Sequence, residues 1–490
     1  MLFLHRAHRT AGWRRPVRNL ALLSVAGGML AACGGGNWGS GKDASAQYRA
    51  CLNKVSALYR YSGSFDGYLR QAKKIGRRCG IRSSTLHAGL GRLNNRNVGV
   101  SDYAEADGIE LREQIADATG ADGVLLARRR GGNAVRDYLD YRVTPDLVRK
   151  GRSMRKRYRR LLRQIERRYR VPAHYLVAFW GIESRYGAVT GRHRVVPTLA
   201  KLGYRSNRRR FFSSELLGAL MIADRGFARL SRMYGSAAGA MGQTQFMPSA
   251  YIYYAVDHNG DGRRDIWRSK ADVLASMANY NIKRGGWDTR INSAVYEVRL
   301  PRRLRIIRTG FYNQRPLNYW RRAGVRRIDG GALPRSRETA SVFLPAGCRG
   351  PAFLLTRNFR AIMRYNNLIE YAFAVAVLAE KIENRFRIRK AWPRHDYALS
   401  KSERADLQRR LTRMGYGRLR ADGILGMNSR RAIQRYQARK GLCPSGHANT
   451  RLYNHVRGRR SGGGYADSGG GPQAFGPQAV GRVVERAEAQ

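Results

Sequence analysis

Acidic side chains are scarce in this chain. Asp and Glu number 34 in 490 residues against 93 Lys and Arg, a formal charge of +59. That imbalance excludes a self-neutralised surface. A field of this sign attracts polyanions such as nucleic acid, acidic lipid headgroups or anionic cell-wall polymers, and charge alone does not choose among them. The alternative reading is a composition bias spread over a solvated surface. Long alternating strand patterns and solenoid repeats are missing too, which excludes a sandwich, barrel or repeat array and leaves a mostly α fold. The hydrophobic fraction of 43% is ordinary, so a sizeable core is possible.

The apolar run near the N-terminus is short. "NLALLSVAGGMLAAC", residues 19–33, falls below the roughly 20 residues that span a bilayer. With Arg14, Arg15 and Arg18 ahead of it, the run reads as a secretory signal. The ending "LAAC" resembles a bacterial lipobox, with Cys33 as the lipidated first residue of the mature chain. An ordinary secretory signal with an incidental Cys is the alternative. Gly34 follows, not the Asp of inner-membrane retention, so the expectation is a periplasmic, outer-membrane lipoprotein of a Gram-negative bacterium, anchored through its lipid. Export removes nucleic acid as a partner despite the charge. Cysteine is sparse, five in all. Beyond Cys33, Cys51, Cys79, Cys348 and Cys443 allow three complete pairings, and export permits them. Cys51 and Cys79 lie close together on two amphipathic stretches, which favours that pair.

The chain divides by composition. Residues 1–33 are the signal, 34–59 a tether and N-terminal extension, and 60–390 the main domain. A linker over 391–398 holds Pro393, a small unit with two short helical patterns covers 399–457, and a Gly/Pro/Gln-rich tail with the composition of disorder runs over 458–490. Few prolines interrupt 46–180, which predicts helices, including a Thr144-Pro145-Asp146 start before one long basic amphipathic helix.

One acid stands out within the main domain. "GIESRYG", residues 181–187, places Glu183 at the end of the apolar run "VPAHYLVAFW". Pro172 suits a first helical turn, and Leu176, Trp180 and Glu183 then share a face. Arg185 falls about 200° round the helix from Glu183 and need not neutralise it. Poor solvation raises a carboxylate's pKa and suits it to act as a general acid, although the global positive field opposes this. A salt-bridging Glu at a helix end is the plainer reading. "GSAAGAMGQTQFMPSAY", residues 235–251, adds small residues for close backbone approach, and Gln243 and Gln245 whose amides can bind sugar hydroxyls. Tight helix packing explains its glycines but explains the glutamines less well.

These two stretches resemble the lytic murein transglycosylases of the membrane-bound B type. "FFSSEL" (211–216), "DHNGDGRRDIW" (257–267), "MANY" (277–280) and "PAGCRGPAFLLTRNFRAIMRYNNLIEYAFAV" (345–375) extend the resemblance in order along the chain. It implies a lysozyme-like, mainly α catalytic domain that cleaves the MurNAc-GlcNAc bond of peptidoglycan glycan strands and leaves 1,6-anhydro ends. It also implies that neither water nor a cofactor enters the chemistry. Glu183 would be the single acid/base. Ser236 and Gln245 would lie near the cleaved bond, and Tyr280, Tyr365, Asn366 and Tyr371 would line the glycan groove. Leu368 stands where the family often has Ser, which puts one groove hydrogen bond in doubt. Glu215 is the second carboxylate to consider if water attacks instead, its plainer reading being structural.

Two further features stand beside the chemistry. Asp257, Asn259 and Asp261 have EF-hand spacing, with Gly262 at the turn and Arg263 able to offer its carbonyl. Arg268 occupies the position where an EF-hand has Glu; the family closes this loop later, where Asp272 stands, so a structural Ca²⁺ is expected. The alternative is an Asx-turn loop without an ion. Residues 399–457 resemble the small helical peptidoglycan-binding domain. Leu407, Leu411 and Met414 stripe one helix, Ala432, Ile433 and Tyr436 another, with Ser445 where that family often has Asp. The expectation is a monomeric wall-degrading enzyme. Its rivals are a lysozyme-type hydrolase and a non-catalytic wall-binding protein.

Overall fold

The structure, a computed structural model, describes residues 41–95, 133–301, 304, 313–384, 386–394 and 396–458. The signal with Cys33, the first part of the expected tether and the tail beyond 458 lie outside the described residues. The described residues fall within one unit, and eighteen α-helices dominate them.

Four helices open the chain: α1 (Gly41–Leu52), α2 (Ser56–Tyr59), α3 (Phe65–Arg78) and α4 (Ser83–Leu90). Ser64 caps α3 by accepting from the Gly67 amide, and Phe65, Tyr68, Leu69, Ala72 and Ile75 bury one face at three- and four-residue spacing. Cys51 at the end of α1 is bonded to Cys79 at the end of α3, the expected pair.

Next come α5 (Ala134–Arg142), α6 (Pro145–Arg157), α7 (Arg159–Tyr169) and α8 (Ala173–Ser184). Thr144 caps α6 with Pro145 in its first turn, as the sequence suggests. The single long basic helix is instead two, α6 and α7, which meet at Tyr158 (φ −98°, ψ 21°). The Tyr158 ring packs edge-on against Trp180, 5.7 Å between centroids, and the break lets both basic helices follow the core. Helix α8 begins one residue later than Pro172, which is its N-cap. Every residue of α8 is buried except Glu183, so its apolar surface runs all the way round, not along one stripe.

Then follow α9 (Val195–Arg205), α10 (Arg209–Asp224), α11 (Pro248–Tyr254) and α12 (Lys270–Lys283), with the short strands β1 (His193–Arg194) and β2 (Tyr234–Gly235) paired antiparallel beside α9. An antiparallel sheet comes next, order β4-β6-β7-β3-β5, with β3 Val295–Arg299, β4 Arg315–Pro316, β5 Arg326–Arg327, β6 Thr339–Phe343 and β7 Ala352–Thr356. Sequence patterning gives no sign of this sheet. All of β7 and most of β6 are buried, so neither face alternates with polar residues. Within it α13 (Leu317–Arg322) buries Trp320, and α14 (Arg357–Tyr365) and α15 (Ile369–Asn384) close the domain. The fold remains mainly α.

Two cores meet at the site. One gathers α8, α12, α14 and α15; the other gathers α1–α4 with α9–α11. Tyr365 packs against both.

The C-terminal unit comprises α16 (Lys401–Arg413), α17 (Met427–Arg439) and α18 (Thr450–Val456). Ser400 and Glu403 form a capping box on α16. Leu407, Leu411, Ala432, Ile433 and Tyr436 pack as expected, but Met414 is 47% exposed because α16 ends before it. This unit is tied to the main domain. Cys348 is bonded to Cys443. Arg430 pairs with Glu370 at 2.5 Å. In the expected linker, Asp396 is buried and accepts from Asn133 (2.6 Å), His447 (2.9 Å) and Asn449 (2.8 Å). Burial pushes the Asp396 carboxyl up, yet these bonds hold it down to about 2.

The Cys348–Cys443 bond closes a sequence separation of 95 residues. Closing so long a loop restricts the unfolded chain, typically by about 2–4 kcal/mol. Cys443→Ser should therefore shift chemical unfolding of the C-terminal unit to lower denaturant, and limited proteolysis near 391–398 should release it under non-reducing conditions. Superposable unfolding curves and unchanged proteolysis would remove this role.

Candidate active site

Helix α8 ends abruptly just after Glu183. Arg185 (φ 47°), Tyr186 (φ 63°) and Gly187 (φ 83°) are consecutive left-handed residues. Two of the three carry a Cβ, so the turn is held by its contacts. The Tyr186 hydroxyl donates to the Leu147 carbonyl at 2.7 Å, and its ring packs edge-on against Trp180. A Cβ on Gly187 would meet the Gln243 side-chain oxygen at 2.3 Å. Arg185 is exposed and does not contribute to the environment of Glu183, in line with its position round the helix.

Glu183 itself is half-buried, enclosed by protein yet reachable from solvent. The Tyr371 hydroxyl on α15 donates to its Oε1. Desolvation raises the Glu183 carboxyl to about 7, against the lowering effect of Tyr371 and of the Arg142 cation. The carboxylate in turn helps raise the phenols of Tyr280, to about 12, and of Tyr365 and Tyr371, whose shifts come mainly from burial. These four groups therefore share one electrostatic environment, contributed by α8, α12, α14 and α15.

Beside them opens a cleft of about 400 Å³, lined by Gln245, Phe246, Tyr280 and Tyr365 and flanked by Phe211, Tyr254 and Arg284. Aromatic faces with polar tips are the surface a sugar requires. The rings are mutually braced, with Tyr365 4.8 Å from both Phe179 and Tyr280 between centroids. Their hydroxyls are anchored: Tyr365 to the Thr244 carbonyl at 2.7 Å, Tyr280 to the Arg364 carbonyl at 2.6 Å.

The loop 235–251 divides the two glutamines. Gln245 lines the cleft in a left-handed conformation (φ 51°), its amide donating to Gly242 (2.8 Å) and Thr190 (3.2 Å) carbonyls. Gln243 is 2% exposed and serves the fold, not a sugar. Its oxygen accepts from Trp180 (2.9 Å) and Lys270 (3.1 Å), and its amide donates to the Trp267 carbonyl. Ser236 is buried, and its oxygen accepts from the Ala238 and Ala240 amides, which shapes the glycine-rich turn. Asn366 ends α14 and accepts from the Leu368 amide at 3.2 Å.

Glu215 lies in the second core, 3% exposed. Both of its oxygens are engaged by Ser249, one by the amide (2.8 Å) and one by the hydroxyl (2.7 Å), which satisfies the first turn of α11. That supports its structural reading. Sequence reasoning missed Arg142, whose buried guanidinium lies near Glu183. The available signal was its place on a buried stripe with Val135 and Leu139, at four- and three-residue spacing.

The acidic loop is also drawn together. Carboxylate oxygens of Asp257, Asp261 and Asp272 lie within 4.8 Å of one another. Gly260 (φ 78°) and Gly262 (φ 79°) make the turn, their amides bonded to Asp257. Asn259 turns its amide nitrogen to Asp261, leaving its oxygen as a donor atom. The Arg263 amide donates to Asp261. Asp272, fully buried, has its carboxyl raised by desolvation and by the like charge of Asp257. Oxygen-only donors that repel one another fit a hard divalent cation.

Comparison with known proteins agrees with this geometry. Residues 80–380 match the family described as the transglycosylase SLT domain. The chain belongs to that family. Residues 400–455 match the putative peptidoglycan binding domain. The membrane-bound lytic murein transglycosylase B of Escherichia coli K12 is 32% identical over 249 residues, 50% of this chain and 67% of that protein. Among solved structures, SltB3 of Pseudomonas aeruginosa in complex with NAG-anhNAM-pentapeptide aligns with TM-score 0.70 and 37% identity, covering 81% of this chain and all of that one. Escherichia coli Slt35 in complex with calcium aligns with TM-score 0.50 and 28% identity, covering 64% and 92%.

The buried carboxyl of this transglycosylase-family site carries a pH signature in stability. Its folded pKa, about 7, stands above the ordinary 4.5. The stability it contributes is complete below about 4.5 and is lost as pH rises through 7. Glu183→Gln does not titrate, so above pH 7 it should be more stable than wild type by about 1–3 kcal/mol, with the advantage shrinking towards pH 4.5. Melting at pH 5 and pH 8 checks this; an equal difference at both would show that Glu183 titrates normally.

Proposed function

We infer that this chain is a lytic transglycosylase that cleaves the β-1,4 MurNAc-GlcNAc bond of peptidoglycan, with Glu183 as its one acid/base. The observation that carries the residue assignment is geometric: the Glu183 carboxyl is reachable from solvent, bonded to Tyr371 and set beside an aromatic cleft, and burial raises it to about 7, whereas Glu215, raised to about 7 by the same cause, is enclosed with both oxygens on Ser249. A carboxyl with that pKa can both give and take a proton at neutral pH.

The chemistry follows from the groups present. Oε1 accepts from Tyr371, so the proton to be delivered is carried on Oε2. Protonation of the glycosidic oxygen lets the C1–O bond break, its electron pair leaving with that oxygen. The positive charge left at the anomeric carbon faces the new Glu183 carboxylate. Glu183 then takes the proton of the C6 hydroxyl as O6 bonds to C1, which closes the 1,6-anhydro ring and restores the acid. One carboxyl serves both steps because the nucleophile belongs to the substrate; hydrolysis usually needs two. Glu215, the candidate for a second, is committed to Ser249.

Three accompanying assignments complete the reading. The protein acts as a monomer on glycan strands, and its C-terminal unit holds it to the wall. Cys33 carries a lipid that anchors it at the periplasmic face of the outer membrane. The signal-like N-terminus supports this, and none of the described helices is long and apolar enough to cross a membrane. Asp257, Asn259, Asp261, Asp272 and the Arg263 carbonyl hold a structural Ca²⁺, which would neutralise the clustered carboxylates and brace the loop before α12.

Glu183→Gln should lose activity on sacculi by about 10⁴-fold or more, since one group serves both proton transfers. Sacculus binding should persist. Wild-type products should be lighter by one water than those of a lysozyme. Full activity in Glu183→Gln would sink the assignment; reducing MurNAc ends would make the enzyme a hydrolase.

Calcium is tested separately. Millimolar Ca²⁺ should raise the melting temperature by several degrees, EDTA should reverse the gain, and Asp257→Asn should abolish it. A melting curve indifferent to both additions would exclude the ion.

A further inference from the structure

We propose that Arg142 is a positioning residue of the acid/base site: it holds the last turn of the Glu183 helix and supplies the buried positive charge against which Glu183 ionises in mid-reaction. This rests on the reading of Glu183 as the acid/base.

Arg142 closes α5 and is 8% exposed, whereas most cations among the described residues face solvent. Its Nη2–H donates to the carbonyl of Ile182, the residue before Glu183, at 2.5 Å. Nε is buried without a partner. Tyr138, one turn earlier on the same helix, has its phenol beside the guanidinium. Arg142 makes no salt bridge among the described residues.

A buried cation without a paired anion is costly, and the cost falls when an opposite charge develops within reach. Glu183 is such a charge. It is neutral before proton delivery and anionic immediately after, when the glycosidic oxygen has taken its proton and O6 has yet to surrender one. In that interval the carboxylate sits in a desolvated pocket and needs an ion that does not move with the substrate. The groups facing it are Tyr371 from α15, Tyr365 from α14, Tyr280 from α12, and Arg142 from α5. Tyr138 and, through it, Glu370 complete the surroundings, and Arg284 adjoins Tyr280. Tyrosine can donate a hydrogen bond but carries no positive charge. Arg142 is the cation acting on Glu183 in this set, and its effect there is to favour the carboxylate. Its hydrogen bond to Ile182 is the second half of the device: the same group that stabilises the charge also holds the carboxyl's own backbone.

Arg142→Met keeps much of the stem and removes the charge, while Arg142→Lys keeps the charge and loses the planar fork. On solubilised peptidoglycan, Arg142→Met should lower kcat by about tenfold or more with KM within about threefold. The alkaline limb of its kcat/KM profile should move upward by at least about half a pH unit, because an acid deprived of a neighbouring cation keeps its proton to higher pH. Arg142→Lys should bring the limb back towards wild type. A limb in Arg142→Met that coincides with wild type overturns the proposal, whatever happens to kcat. Should Arg142→Met fail to fold, Arg142→Gln decides, since it removes the charge but keeps a donor for the Ile182 carbonyl: a limb displaced upward supports the proposal, and a coincident limb overturns it. Failure here is distinct from failure of the underlying reading. An inactive Glu183→Gln with an unmoved Arg142→Met limb refutes only the role of Arg142, whereas an active Glu183→Gln refutes both.

Discussion

The structure depends on keeping one carboxyl poorly solvated at the end of a helix buried on every side. A chain with this excess of arginine should draw any carboxylate towards its ionised form. Local burial outweighs that field because most of the cations lie in solvent, where water and salt screen them, whereas the groups around Glu183 act through protein. The helix is walled by two apolar cores, and three successive left-handed residues end it before a further turn can cover the acid.

Much of this was legible from short motifs. Glu183, Gln245, Tyr280, Tyr365 and Tyr371 lie in stretches whose residue types make sense only together, and the fold brings all five to one place. The rest was not legible for identifiable reasons. Gln243 and Gln245 look equivalent in sequence, but two residues in a loop of changing backbone sign face opposite ways. One packs under Trp180 and one lines the cleft. The sheet escaped notice because strands buried on both faces lose the alternation that marks a strand. Helices α6 and α7 read as one because nothing in the residue types at Tyr158 says helix break; in the fold Tyr158 stands where they meet, packed against Trp180. Arg142 was hidden by abundance: in a sequence this rich in arginine, its place on the stripe with Val135 and Leu139 was the one sign that set it apart.

The C-terminal unit is more than a tether. Arg430 reaches Glu370, the residue before Tyr371, and Tyr371 is bonded to Glu183. Asp396 knots the connecting segment to Asn133, at the start of the helix that ends in Arg142. Two sides of the acid are therefore braced by elements that themselves carry the wall-binding unit. A flexible linker would bring enzyme and polymer together only by raising local concentration. Here the Cys348–Cys443 bond, the Arg430–Glu370 pair and the Asp396 contacts fix the unit to the main domain instead.

Rigid support has a chemical reason in a reaction with one catalytic carboxyl. With two carboxyls, nucleophile or base is a different group from the acid. With one, the same oxygen must meet the glycosidic oxygen first and the C6 hydroxyl second, two positions on the same sugar. Little side-chain freedom is tolerable there, since a small misplacement affects both transfers. The constraints converge accordingly: Tyr371 holds one oxygen, the left-handed turn ends the helix, Arg142 grips the carbonyl before Glu183, and Gln243 fills the space beside Gly187. The contacts of Tyr371, Arg142 and Gln243 and the left-handed turn all converge on the end of the Glu183 helix.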